Sequence, residues 1–252
     1  MNWERLQYMY ERKSYRIVQK HLKKILDGIP LNNVSLSNYE ILIYANISED
    51  KIKAILVDIY KEVGFDYSKR IKKEIDKTTK NVLFSDSFLN DILLFLSGEG
   101  GSKIVSIRGT LISDIIAEIQ AKIKDDASLI NLQDAIFEIV KRSQQFYKWQ
   151  ALRIARTETT FASAFAAMRA ASQSNFEMTK EWISVKDKRT RTDHLIENSQ
   201  IVDFNDPFIM ADGTQMMYPG DPKGSAAQVI NCRCTLAFKA KRDKEGNIIF
   251  KK

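Results

Sequence analysis

A single proline, Pro30, falls between residues 1 and 175, while Pro207, Pro219 and Pro222 crowd into one short stretch near the end. Proline inside a helix removes a backbone hydrogen bond and collides with the preceding turn. The asymmetry leaves the first two-thirds of the chain free to be helical. It predicts turns and short strands beyond about residue 176. The expected fold class is α+β, a mainly helical N-terminal region over 1–145 followed by a long helix and a small α+β module with short strands over 146–252.

Apolar spacing supports that division. Residues 3–27 read as an amphipathic helix ending near Gly28, with Pro30 barring its continuation. Ser37-Asn38-Tyr39-Glu40 matches a capping box and predicts a short helix to about Ala45. Ser48 or Glu49 starts the next, with Ile52, Ile55, Leu56 and Ile59 on one face and Gly64 as its stop. Residues 67–82 and Asp86–Leu96 are further helical candidates. The run Ser97-Gly98-Glu99-Gly100-Gly101-Ser102 lacks the lysine of a phosphate-cradling loop and reads as a hinge or linker. A helical period resumes over 103–124, and Asn131 can cap another helix running to Arg142.

The longest candidate, 146–174, carries Ala151, Ala155, Ala162, Ala166 and Ala170, small residues that permit close packing. Glu181–Val185, Gln200–Phe204, Thr235–Lys239 and Ile248–Lys251 are the predicted strands, with a short helix over Thr192–Glu197.

Hydrophobic residues make up 44% and charged residues 28%, which excludes a disordered chain. No apolar run is long enough to predict a membrane span, and the first residues lack the pattern of a secretory signal. Two cysteines, as Cys232-Arg233-Cys234, are no disulfide framework and suit a reducing cytoplasm. The net charge is +7. Seven basic and two acidic residues lie in 1–24, and six basic and two acidic in 69–80. Arg12, Lys13, Arg16, Lys20, Lys23, Lys24, Lys69, Arg70, Lys72 and Lys73 are thus candidates for phosphate contact, or else solvated helix faces.

Three polar clusters occupy the chain beyond residue 150. Arg156 and Glu158 sit two apart in a helical pattern, so they point to different faces. They either fix neighbouring structure to the helix or form a site in which Glu158 is acid or base and Arg156 grips an anion. After Trp182 comes Asp187-Lys188-Arg189-Thr190-Arg191, a turn whose aspartate can accept backbone amides and whose arginines need a carboxylate, with Asp221 and Glu158 as candidates. Tyr218-Pro219-Gly220-Asp221-Pro222 is a conformationally pre-set loop. His194, Cys232 and Cys234 offer nitrogen and sulfur donors suited to zinc, with Asp187 available as a fourth ligand. Cys-x-Cys spacing is less favourable for such a site than the usual knuckle, and buried free thiols or a cysteine nucleophile remain open beside it. His21, in the basic first helix, reads as a surface residue.

Taken in order, Arg156-Thr157-Glu158, Trp182, Asp187 to Arg191, His194, Tyr218 to Pro222 and Asn231-Cys232-Arg233-Cys234 resemble the C-terminal domain of the MuF-type phage head morphogenesis proteins, over about residues 150–238. Glu197-Asn198 replaces the Asp-Gly that often follows the histidine, and asparagine can keep the turn. The resemblance implies a minor head protein made in the host bacterial cytoplasm and packaged into the virion. It would lie inside the head near the portal, supporting procapsid assembly or DNA delivery. The implied partners are the portal protein and capsid or scaffold subunits, with no membrane. The polar residues Arg156, Glu158, Trp182, Asp187, Arg189, Arg191, His194, Asp221 and Arg233 would then be structural and the chain no enzyme. The competing expectations are a metal-dependent hydrolase or nuclease using Glu158, His194, Cys232 and Cys234, and a DNA-binding module using the basic helices.

Overall fold

The computed structural model describes residues 2–76, 87–123, 129–141 and 147–251. Helices come first, as α1 Trp3–Asp27, α2 Tyr39–Asn46, α3 Glu49–Ile59, α4 Phe65–Asp76, α5 Ser87–Ser97, α6 Gly101–Ile123, α7 Leu129–Lys141 and α8 Lys148–Ser172. Beyond them lie β1 Met178–Ile183, α9 Thr192–Ile196, β2 Ile201–Asp203, β3 Phe208–Ile209, β4 Gln215–Met216, α10 Ala226–Val229 and β5 Thr235–Ala240. The fold is α+β. Among the described residues no helix is long and apolar enough to cross a membrane.

The chain divides into two compact units, each assembled from separated stretches. The first comprises Tyr15–Asp58 and Leu93–Ile154 and is helical. Its core takes Val18, Leu22 and Leu26 of α1, Ile52, Ile55 and Leu56 of α3, and Ile112, Ile115 and Ile119 of α6, in the helical register of the sequence. Arg108 donates to the carbonyls of Tyr44 and Ile47, which satisfies acceptors left open at the end of α2. The expected capping box does not form. Asn38 precedes α2, and its Oδ1 accepts the Ser35 amide at 2.7 Å, while the Ser37 hydroxyl meets that of Ser35 at 3.0 Å. The glycine-rich connection is a tight turn in which Gly100 donates to the Phe95 carbonyl at 2.8 Å. A Cβ on Gly100 would meet the Phe95 ring at 2.4 Å, so close approach demands glycine there.

Met1–Ser14, Ile59–Ile92 and Ala155–Lys252 form the second unit. Gly64 does not stop a helix. Residues 60–64 widen into a π-helical turn that runs directly into α4, with Ile59 and Phe65 on either side both in helical geometry. The predicted extension of α4 to residue 82 and the starts at Asp86 and residue 146 lie outside the described residues, as does Arg142. The helix foreseen at Asn131 begins earlier, at Leu129. An antiparallel sheet in the order β2-β1-β5 pairs Trp182 with Leu236 and Glu181 with Ile201. Alternation along β1 turns Met178, Lys180 and Trp182 inward. A hairpin of β3 and β4 adds Phe208 and Met216 to a core with Trp182, Met210, Cys232, Cys234 and Leu236. Ile248–Lys251 is not a strand, and only single bridges join Ile248 to Arg242 and Phe250 to Phe176.

Candidate functional site

The Asn231-Cys232-Arg233-Cys234 segment, just before β5, is held by its backbone. Thr160 of α8 donates to the Cys232 carbonyl, Arg191 to that of Ile230, and the Trp3 indole to that of Arg233 at 2.8 Å. Asn231 has φ +59, a left-handed conformation that asparagine tolerates, and its amide donates to Thr157 Oγ1 at 3.0 Å. The side chains then diverge. Arg233 reaches Asp187 through two bonds of 2.6 Å, while both cysteines turn into the core toward His194.

His194, on α9, is buried, with its ring edge-on to Trp182 at 5.7 Å between centroids. Its Nδ1 lies 3.3 Å from Cys234 Sγ and 3.7 Å from Cys232 Sγ. The three donor atoms are all within 4.8 Å of one another. Its Nε2 meets Gln228 Oε1 at 2.8 Å, and the Gln228 amide nitrogen donates to Asp193 and Asp212 at 2.7 Å each. Ser184 donates to the His194 carbonyl and lies 3.7 Å from Cys234 Sγ.

Electrostatics separate the two thiols. A hydrogen bond from Cys232 holds the Cys234 thiol well below its ordinary value despite burial, with His194 adding to the effect. The same bond, together with burial, drives Cys232 well above. Burial opposes a charged imidazole, yet the hydrogen bond and charge of Cys234 outweigh it and raise His194. Three nitrogen and sulfur donors so arranged can hold a soft metal ion or share a proton as a thiolate–imidazolium pair.

Other residues singled out in the sequence are spent elsewhere. Asp187 does not join the cluster, because both its oxygens are taken by Arg233 and one also accepts the Arg189 amide at 2.9 Å. Glu158 does not join it either and accepts the buried Tyr60 hydroxyl at 2.6 Å. Asp221 receives no arginine among the described residues and instead accepts the Met217 and Lys223 amides at 2.7 and 2.9 Å. Arg156 pairs with Glu11 at 3.3 Å and bonds Asn231. The turn after α9 survives by another route, with Ser199 at φ +69 and Asn198 accepting the Ser184 amide.

Among the basic candidates, Lys13, Lys23 and Arg70 are paired with Glu62, Asp27 and Asp66. Arg12 lies over the Tyr8 ring, 5.8 Å from its centroid. His21 meets Asp58 at 2.8 Å. Gln228, Asp212 and Thr160 escaped the sequence reading, which places Trp3 among the packing aromatics of the first helix and Asp193 in the polar run that ends at His194.

The family described as Phage Mu protein F like protein matches residues 106–237, more than half of the chain and all of the polar clusters. The chain belongs to the phage Mu protein F-like family. No curated protein and no solved structure matches it. Membership in the Mu F-like family implies a phage head protein. The match begins within α6, well before Arg156, and ends inside β5. The clamped Asn-Cys-Arg-Cys segment, His194 and the Asp187–Arg233 pair therefore all lie in the part of the chain that carries the Mu F-like relationship.

Proposed function

We propose that this Mu F-like chain is a minor head protein carried inside the phage head near the portal. There it supports procapsid assembly or delivery of the genome through contacts with portal and capsid or scaffold subunits, and it turns over no substrate. The observation that carries the non-catalytic reading is how the motif side chains are used. Arg156, Glu158, Asp187, Asp221 and Arg233 each bond to another group of the same compact unit. The cavity beside His194, Cys232 and Cys234 measures about 10 Å³, room for one water and for no organic substrate. A nuclease would need its acid or base within reach of a substrate, and Glu158 is only 3% exposed.

Reconstruction of purified particles, with mass spectrometry of their protein content, tests the reading. The expected result is the chain in mature particles, with density inside the head beside the portal ring. Deleting its gene should leave particles that assemble aberrantly or fail to deliver DNA. Particles that lack the chain and are unchanged by its deletion would overturn the proposal.

A further inference from the structure

Gln228 fixes the chemistry of the buried cluster. Its amide nitrogen has two hydrogens, and both are committed, one to Asp193 Oδ2 and one to Asp212 Oδ2, at 2.7 Å each. Its oxygen must therefore face His194 Nε2, 2.8 Å away, and accept a hydrogen bond from the N–H of that nitrogen. A neutral imidazole with hydrogen on Nε2 keeps the Nδ1 lone pair free, and Nδ1 is the atom that faces both sulfurs. A ligating histidine whose second nitrogen is anchored outward, here through an amide to two carboxylates, is the arrangement that orients imidazole toward a metal.

The distances suit one ion. Zinc at ~2.3 Å from sulfur and ~2.0 Å from nitrogen, in tetrahedral geometry, holds such donors roughly 3.5–3.8 Å apart. Here Nδ1 lies 3.3 and 3.7 Å from the two sulfurs. Cys-x-Cys reaches this geometry because Arg233, between the cysteines, points away to Asp187 and leaves both thiols on the imidazole side. Charge agrees as well. Two thiolates and a divalent ion sum to zero, so a core that includes Trp182, Phe208 and Leu236 buries no net charge.

We infer that His194 Nδ1, Cys232 Sγ and Cys234 Sγ bind a zinc ion, with Gln228 as the residue that positions the imidazole. A cavity of about 10 Å³, which His194, Cys232 and Cys234 line with Thr190 and Arg191, has room for the single water that would complete four ligands. The ion ties α9 to the lead into β5, joining two segments that the sequence separates by 38 residues at their nearest ligands. The inference stands apart from the location of the chain in the head, because it concerns the isolated protein.

The full-length chain, purified under reducing conditions and dialysed against a weak chelator, should retain about one zinc per chain by elemental analysis. Cobalt supplied in place of zinc should give the intense near-ultraviolet charge-transfer band of thiolate ligation and the visible bands of a tetrahedral ion. Cys232→Ser, Cys234→Ser and His194→Ala should each lose most of the metal. Gln228→Ala, which keeps all three ligands, should bind zinc about 10- to 100-fold more weakly. Wild-type chain that stays folded, takes up neither zinc nor cobalt and shows no thiolate charge-transfer band would overturn the inference. The same holds if Gln228→Ala binds zinc as tightly as the wild type. The cobalt spectrum is read on unaltered protein, so a variant that fails to fold does not blunt the test.

Discussion

Asp187 ties the turn after β1 to the segment before β5, and its carboxyl is held well below the ordinary carboxylate range, chiefly by the bonds from Arg233. A depressed folded value means that this contribution is complete above the unfolded pKa of about 4 and drains away as pH falls through the folded value. Asp187→Asn should lower the melting temperature at neutral pH. The difference from wild type should shrink progressively below about pH 4, as followed by thermal melts across an acid series. A constant difference across that series would show that the ion pair does not act this way. Glu158 works by burial instead. Replacing it with alanine removes the acceptor of the Tyr60 hydroxyl in a position that excludes water, and should cost about 1–3 kcal/mol in urea unfolding. An unchanged midpoint would deny the bond its structural role.

Among the elements, α8 presents a buried small-residue face to the second unit. Ala162, Ala166 and Ala170 are buried, and the loop at Gly220 approaches so closely that a Cβ there would sit 3.3 Å from the Phe161 backbone. Gly220 also has φ +81, a conformation that costs an L-residue about 1–2 kcal/mol. Gly220→Ala should therefore destabilise by at least that amount, whereas Gly246→Ala, with φ +87 but open space around it, should cost only the backbone strain. Comparing the two variants by denaturant titration separates crowding from strain, and equal losses would remove the packing argument. On β1, Trp182 is fully buried against Phe208 and His194, so Trp182→Ala should cost about 3–5 kcal/mol in the same measurement.

At the scale of the molecule, the second unit draws on three separated stretches of chain. Trp3 supports Arg233, Ser14 meets Thr159 at 2.7 Å, Tyr60 meets Glu158, and Tyr67 meets Thr235 at 2.9 Å. A fragment spanning 146–252 would keep the family motifs and lose every one of those partners. It should populate a loosely packed state, with helical circular dichroism but poorly dispersed amide resonances and enhanced dye binding. A fragment with native-like dispersion would mean that the earlier stretches add nothing essential.

The longer elements were legible from sequence because periodicity and proline placement act within a few residues, while the two-residue strands β3 and β4 are too short to carry a period. The helix faces at Ile52–Ile59 and Ile112–Ile123, the alanine-spaced α8 and the strands around Trp182 and Thr235 follow from local pattern. The gathering of His194, Cys232 and Cys234 could be suspected from residue type alone. Tertiary structure decided which partner each charge took. Arg191 of the turn took the Ile230 carbonyl and not Asp221 or Glu158, Arg233 took Asp187, and Gln228, a lone glutamine with no motif around it, became the anchor of the imidazole. The physical reason is separation: Trp3 and Arg233 lie 230 positions apart, and a contact at that distance along the chain leaves no trace in the spacing of neighbouring residues.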